Sequence, residues 1–363
     1  MTTHVAAVPS DDIFLRGEEV PINQQKGIKM NEGRMVRVFS AATLLLSLGV
    51  AVVGSSTSAT AATKTRKITI AGVYGGTFDP FWISLGCGAK EEATKLGVKY
   101  TAYDSSAETT ASFSQNFSTA LLRHPQGIFA DPQNPNQFVT QYKQLMKRGV
   151  PVTTINGTTP PTQYEIVGSD VTNLPFLTQL SSLVTKAAGS LAIINGVPGL
   201  VPVDDRLDPV VNAIEAANSN LTPLPAEYTF FSATTASQDV SSLLLAHPDL
   251  KVIVAADGPD AQGVAAAVQQ AGDAGKVQVI GLDATPTEVS YLKSGVITAL
   301  VAQSPNQIGA LQVKQLFQYI KAHPKAQSVQ ASDTMVGVPQ KLLTSSNVGA
   351  AANKPWVYQA SCS

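Results

Sequence analysis

Side chains able to bind a ligand recur in this sequence at one kind of place, directly after short apolar runs. Asp131 follows GIFA, Asn156 follows PVTTI, Asp257 follows VIVAA and Asp283 follows VIGL. Open α/β sheets bind ligands outside the carboxyl ends of their strands, so carboxylates and amides at such ends form a candidate binding set. Phe81 and Trp82 add two adjacent bulky aromatics at the first turn of a helix that Asp79 and Pro80 start. A core-facing stripe needs only one there, so one of the pair is expected to face a cleft, the alternative being that both pack under the sheet. Bond-breaking chemistry finds little support. His124, His247 and His323 each precede a proline at a helix end, a place where an imidazole meets free carbonyls, and His4 lies in the leader. No G-x-S-x-G surrounds a serine, no G-x-x-x-x-G-K-[ST] exists, and Gly75-Gly76 does not extend to G-x-G-x-x-G. A triad hydrolase and a nucleotide site are therefore disfavoured, no enzyme activity is expected, and no cofactor or metal is called for.

The elements that must position these residues alternate between β-rich runs and helical stretches, an order that implies parallel sheets with helices on both faces. Strands are predicted over 68–73, 99–103, 127–130, 152–155 and 165–167, then over 191–194, 228–231, 252–255, 277–280 and 297–301. Helices are predicted over 81–96, 112–123, 137–148, 240–246, 261–271 and 306–322. An internal echo divides the chain in two: STALLRHPQGIFAD, ending at Asp131, resembles SSLLLAHPDLKVIVAAD, ending at Asp257. Each copy has a leucine-rich helix, a His-Pro stop, an apolar strand and an aspartate. The expected fold class is α/β, two doubly wound parallel-sheet lobes in succession, whose facing strand ends make a cleft.

Composition narrows the partners. The chain has 363 residues, 44% hydrophobic and 14% charged, enough apolar material for two domains. A formal net charge of -1 lacks the basic face that nucleic acid requires, so no nucleic-acid partner is expected. Arg34 and Arg37 precede an apolar run from Ala41 to Val53, too short to span a membrane, and Ala59-Thr60-Ala61 supplies a small-x-small pattern. Residues 1–62 thus read as a leader with a signal peptide cleaved near Ala61 or Ala62, with Met30 or Met35 as alternative initiators and a retained anchor as the competing reading. The mature chain is expected outside the cytoplasm, where disulfides are permitted. Two cysteines allow at most one bridge, Cys87 with Cys362, with two free thiols as the equal alternative.

From about Lys67 to about Val338 the chain resembles the periplasmic sugar-binding proteins of the ribose and galactose type, the solute receptors of ABC importers with the type I periplasmic binding fold. The likeness rests on DPFW at 79–82, GVPVTTIN at 149–156, SDV at 169–171, LLLAHPDLKVIVAAD at 243–257, VIGLDATP at 279–286 and VAQSPNQIGA at 301–310. Singly these are weak, and their order and spacing carry the resemblance. It implies ligand contacts from Asp79, Phe81, Trp82, Asp131 and Asn156 in the first lobe, and from Arg206, Phe231, Asp257, Asp283 and Gln303 in the second. Such residues suit a sugar or polyol: carboxylates accept from vicinal hydroxyls, a guanidinium donates through a planar fork, and an aromatic covers the C–H face. Competing readings remain for three of them. The alternatives are that Asp283 and Gln303 are helix caps or hinge hydrogen bonds, and that Arg206 pairs with Asp204 or Asp205 on a solvated helix start.

This sequence also departs from the ribose-type pattern. Asn156-Gly157 stands where that pattern has aspartate then arginine, and Asp79 and Asp257 stand where it has amides. The cleft is expected to be more acidic than a ribose site, suited to another pentose or hexose, a polyol, or a solute with an amino group. The resemblance further implies a monomer whose lobes close over the solute about a hinge of several crossings, near 168–171, 303–305 and 336–339. The lobes would comprise 63–168 with 304–337, and 169–303 with 338–363, and the closed form would be read by an ABC permease. A sensor of the same fold, serving a chemoreceptor or quorum circuit, is the alternative. A lactose-repressor-type regulator is disfavoured because the leader stands where a helix-turn-helix would be.

Overall fold

The computed structural model describes residues 67–362 except 77, 108 and 158–161. The leader and its cleavage site lie outside the described residues. The first half alternates β1 (Thr69–Tyr74), α1 (Pro80–Leu96), β2 (Lys99–Asp104), α2 (Thr110–Leu121), β3 (Gly127–Ala130), α3 (Val139–Lys147), β4 (Val152–Ile155) and β5 (Glu165–Ser169). The second half runs α4 (Phe176–Leu183), β6 (Gly189–Asn195), α5 (Val201–Ala217), β7 (Leu221–Pro223), β8 (Glu227–Tyr228), α6 (Ala233–Ala246), β9 (Leu250–Ala255), α7 (Gly258–Ala271), β10 (Gln278–Gly281), α8 (Pro286–Ser294) and β11 (Ala299–Ala302). Then α9 (Pro305–Ala322), β12 (Met335–Val338), β13 (Lys341–Leu343) and a 3-10 turn, Ala351–Trp356, complete the chain.

Two sheets result, ordered β12-β5-β4-β3-β1-β2 and β13-β11-β10-β9-β6-β7, with β8 also on β6. The run β2-β1-β3-β4-β5 has its counterpart in β7-β6-β9-β10-β11, the doubly wound order with a switch point between β1 and β3 and between β6 and β9. Every pairing is parallel except β11 with β13. The central strands β3, β4 and β11 are buried along their whole length, as continuous apolar runs covered on both faces must be. The α/β class with two such lobes is therefore the observed architecture.

Three crossings join the lobes. The chain leaves β5 at Asp170, returns from β11 through Gln303 and Ser304 into α9, and leaves again between β12 and β13. Helix α9 packs against α1, where Gly309 is required because a Cβ there would sit 2.0 Å from the Leu85 carbonyl oxygen. The tail divides its attachments. β13 pairs with β11, whereas the Gln359 amide donates to Ser84 Oγ at 2.7 Å and Cys362 is disulfide-bonded to Cys87 in α1, with Cα atoms 5.3 Å apart.

Four elements in particular depart from expectation. The strand predicted over 228–231 is only Glu227–Tyr228, because Phe230 and Phe231 adopt φ +55° and +59°, left-handed values that no strand tolerates. Helix α5 is read in the sequence only as a helix start around Arg206, because Pro209 inside it argues against continuation. Helices α4 and α8 are short, and α8 is started by the capping box of Thr285 and Glu288, a signal present in TPTE. Among the described residues no helix is long and apolar enough to cross a membrane.

Candidate functional site

A cavity of about 480 Å³ lies between the lobes at the carboxyl ends of the strands. All ten residues nominated from the sequence line it: Asp79, Phe81, Trp82, Asp131, Asn156, Arg206, Phe231, Asp257, Asp283 and Gln303. Local structure explains their placement. Asp79 caps α1 and accepts from the Phe81 amide at 2.8 Å, with Pro80 preset for the first helical turn. That cap aims both aromatics at once: Phe81 and Trp82 meet edge to face at 4.7 Å, and Trp82 stacks on Tyr74. Both therefore line the cavity while packing on the core, rather than one facing each way.

Asp131 follows β3, is 9% exposed, and accepts from Gln133 Nε2 at 2.7 Å. Asn156 follows β4 with φ +56°, a conformation asparagine tolerates, and its Oδ1 accepts from the Ser169 amide at 3.0 Å. Gly157 follows it with φ +125°. On the opposite side, Phe231 packs against Gly196, where a Cβ would lie 2.3 Å from the ring. The residues of that turn are fixed by the Phe230 amide to the Gly196 carbonyl and by the Thr229 hydroxyl to Asp260.

The centre of the second lobe's contribution is Asp283. Its Oδ1 accepts from Tyr358 Oη at 2.7 Å, Gln303 Nε2 at 3.0 Å and Arg206 Nη2 at 3.3 Å, and its Oδ2 accepts from the Gly258 amide at 3.0 Å. Asp283 is thus not the cap of the helix that follows it, since Thr285 is. It orients Arg206 and Gln303 instead. Arg206 is 5% exposed and also donates to the Ala256 and Leu282 carbonyls. The pairing of Arg206 with Asp204 or Asp205 is thereby corrected: α5 turns it inward, and Asp204 accepts from Asn195 instead. Gln303 Oε1 accepts from Ser169 Oγ at 2.5 Å, so one hydrogen-bonded chain links two lobe crossings to the cavity.

Asp257 caps α7 and accepts from the Asp260 amide at 2.9 Å. Burial, then the nearby Asp260, pushes its carboxyl well above the usual range. Burial likewise raises Asp260 to about 6 and Glu288 well above its ordinary value, the latter with help from Asp283. Behind the cavity wall Arg206 Nε is buried with no hydrogen-bond partner, and the Asp257 carboxyl meets the Asp260 side chain. A buried polar atom left this way is costly unless something else satisfies it.

Sequence reasoning missed Phe78 and Phe230, which line the cavity while remaining 57% and 72% exposed, and Tyr358, which reaches Asp283 from the tail. The doubled aromatic in YTFFS was the only available signal for Phe230. Nothing local marked Tyr358, which is brought there by a contact across 75 residues. Among the described residues no group of His, Cys, Asp and Glu is arranged to hold a metal ion. The three histidines sit at helix ends, His323 with Nδ1 3.0 Å from the Tyr319 carbonyl.

Known proteins give the same picture. The family model described as a periplasmic binding protein domain matches residues 70–324. The ribose import binding protein of Salmonella typhimurium is 29% identical over 249 residues, 67% of this chain and 82% of that one. The D-allose-binding periplasmic protein of Escherichia coli is 28% identical, covering 65% of this chain and 79% of its own. An ABC transporter solute binding protein from Agrobacterium vitis, solved with alpha-D-tagatopyranose, superposes with TM-score 0.71 at 24% identity over 81% of this chain and 100% of that one. With a matched span running from β1 to the end of α9 and two lobes wound alike, this chain belongs to the periplasmic binding protein domain family and has its type I fold.

Proposed function

We propose that this chain is the extracytoplasmic receptor of an ABC importer, holding one monosaccharide or polyol between its lobes and delivering it to a membrane permease. The observation that carries this reading is the convergence of paired acceptors, one guanidinium and aromatic faces from both lobes on a single cavity. Vicinal hydroxyls match the acceptors and Arg206, and an aromatic face covers a sugar's C–H side. The relatives are named for ribose and allose, which supports the same class of solute.

In this reading no bond is made or broken. A solute touching both lobes favours the closed arrangement because the open one offers only half of the contacts. The chain Ser169–Gln303–Asp283–Arg206 is the route by which solute contact would bias the hinge. Export follows cleavage near Ala61 or Ala62. The test is a thermal-shift screen of pentoses, hexoses and polyols, since a solute that binds only the folded form raises Tm. At least one sugar is expected to raise Tm by several degrees, and Phe231→Ala to abolish the shift. A shift that survives Phe231→Ala and Asp131→Asn together would place binding elsewhere.

A further inference from the structure

We propose that the tail after β13 is a fourth crossing between the lobes, a strap pinned by the Cys87–Cys362 disulfide, and that Tyr358 on it is a positioning residue whose hold on Asp283 opposes opening of the lobes. The strap thereby sets how tightly the solute is kept. This rests on the receptor reading above and gives a role to a segment beyond the span that the family model matches.

The path of the tail carries the inference. From β13, in the second lobe's sheet, the chain runs back past the hinge. There Ser304 Oγ, at the second crossing, donates to the Pro355 carbonyl at 2.7 Å, and Trp356 Nε1 donates to the Pro339 carbonyl, at the third, at 2.9 Å. The tail next meets the second lobe: the Tyr358 amide donates to the Ala284 carbonyl at 2.9 Å, and Tyr358 Oη donates to Asp283 Oδ1 at 2.7 Å. One residue on it meets the first lobe, where the Gln359 amide donates to Ser84 Oγ at 2.7 Å and Cys362 is bonded to Cys87 of the same helix, α1.

Tyr358 therefore bridges the two walls from beneath the cavity. It is 3% exposed, its ring meets Phe81 edge to face at 6.0 Å, and its hydroxyl holds Asp283; Phe81 and Asp283 both line the cavity, one from each lobe. Burial, then the charge of Asp283, pushes the Tyr358 phenol well above its ordinary range, so it stays a donor. When the lobes part, Phe81 and Asp283 separate and Tyr358 cannot follow both. The disulfide decides which contact gives. It keeps the tail on α1, so opening breaks the bonds to Ala284 and Asp283 and deprives a buried carboxylate of a donor. Without the bridge the tail can leave α1 and travel with the second lobe, and opening then costs neither bond. A cross-link that only closes a long loop acts on the unfolded chain and leaves affinity alone. One that settles the fate of Tyr358 also acts within the folded state, because apparent affinity falls with the fraction of molecules that are closed.

A double-mutant cycle on the full chain tests this. One arm replaces the bridge, Cys87→Ser with Cys362→Ser; the other is Tyr358→Phe, which keeps the ring on Phe81 and removes the donor to Asp283. The readouts are small-angle scattering without ligand and calorimetric titration with D-ribose and with D-allose, the sugars for which relatives are named. Each arm is expected to enlarge the radius of gyration of the ligand-free chain and to weaken sugar binding about fivefold or more, the equivalent of one hydrogen bond. The arms combined are expected to be no worse than the bridge-free chain, since both release the same hold. A lower Tm in the bridge-free chain is expected of any lost cross-link and does not bear on the strap. Parental radius and affinity in the bridge-free chain, or effects of the two arms that add, overturn the inference and leave the receptor reading standing. Should the bridge-free chain fail to fold, Tyr358→Phe decides alone, and a folded variant with parental radius and affinity overturns the inference. If neither sugar binds the parent, scattering still decides for or against the strap, whereas the receptor reading falls only with a silent screen of pentoses, hexoses and polyols.

Discussion

The two lobes share a winding order yet are filled differently. The first lobe's core beside β3 is aromatic: Phe113, Phe117, Phe138 and Tyr142 pack together, with Phe117 and Phe138 stacked at 4.3 Å. On the other face of the sheet, Tyr74 and Tyr100 both stack on Phe129, and their hydroxyls meet at 2.9 Å. The second lobe is filled by aliphatic residues such as Leu191, Leu207, Val210, Ile214 and Val254, and buries a polar network instead. Arg206, Asp257, Asp260, Asp283 and Glu288 are each under 9% exposed. Aromatic packing makes the first lobe a firm wall that presents Phe81 and Trp82. The buried charges make the second lobe's share of the site depend on hydrogen bonds drawn from five separate elements and the tail.

The contrast breaks most readily at Arg206. Arg206→Met keeps much of the side chain's volume but leaves Asp283 buried with no cation, and removing one partner of a buried pair costs about 3–5 kcal/mol. A large fall in the urea midpoint, with binding lost, is expected. A variant as stable as the parent would show that the second lobe does not depend on its charge network.

Much of the fold and of the site was legible in the sequence, for identifiable reasons, although the difference between the two cores was not. The strands β3 and β4 were read to the residue because continuous apolar runs bounded by turn residues have one reading in a doubly wound fold. The repeat ending at Asp131 and Asp257 fixed the equivalence of the lobes, and all the strand-end residues do line one cavity. What escaped is set by tertiary context. α5 carries Pro209 in its interior, which argues locally against a helix, yet its buried face of Leu207, Val210, Val211 and Ile214 holds it. Arg206 looks locally like a surface ion pair in VDDRLDP, and only the position of β10 turns it toward Asp283. The left-handed turn at Phe230 and Phe231 has no local cause, since bulky residues avoid that region, and is held by bonds to Asn195 and Gly196.

A sharper probe of the second lobe is its pH dependence. Asp260 is raised to about 6 by burial, so the unfolded chain loses its proton first as pH rises. Its share of stability is full below about pH 4, declines between about pH 4 and pH 6, and stays lost above. Asp257 and Glu288, also raised by burial, act in the same direction. Asp260→Asn keeps the acceptor for Thr229 and replaces the acid-to-acid contact with Asp257 by an N–H₂ group donating to a carboxyl. It is expected to stabilise the chain at pH 7 by about 2 kcal/mol and to flatten the slope between about pH 4 and pH 6. Urea unfolding at several pH values reads both effects, and an unchanged slope would remove Asp260 from the account.

The first lobe offers the matching test with the smallest effect. Tyr142 is fully buried among Phe117 and Phe138, and its hydroxyl has no partner. A neutral group stranded this way is relieved by deletion, whereas a stranded carboxyl is relieved by supplying a donor, because the acid carries a charge that an apolar wall cannot screen. Tyr142→Phe keeps the ring and its edge contact with Phe117 at 5.7 Å, so it is expected to leave the chain as stable or more stable by about 1 kcal/mol, with no pH dependence. Loss of about 1 kcal/mol or more would mean that the hydroxyl is satisfied in solution, and the first lobe would then share the second's reliance on buried polar bonds.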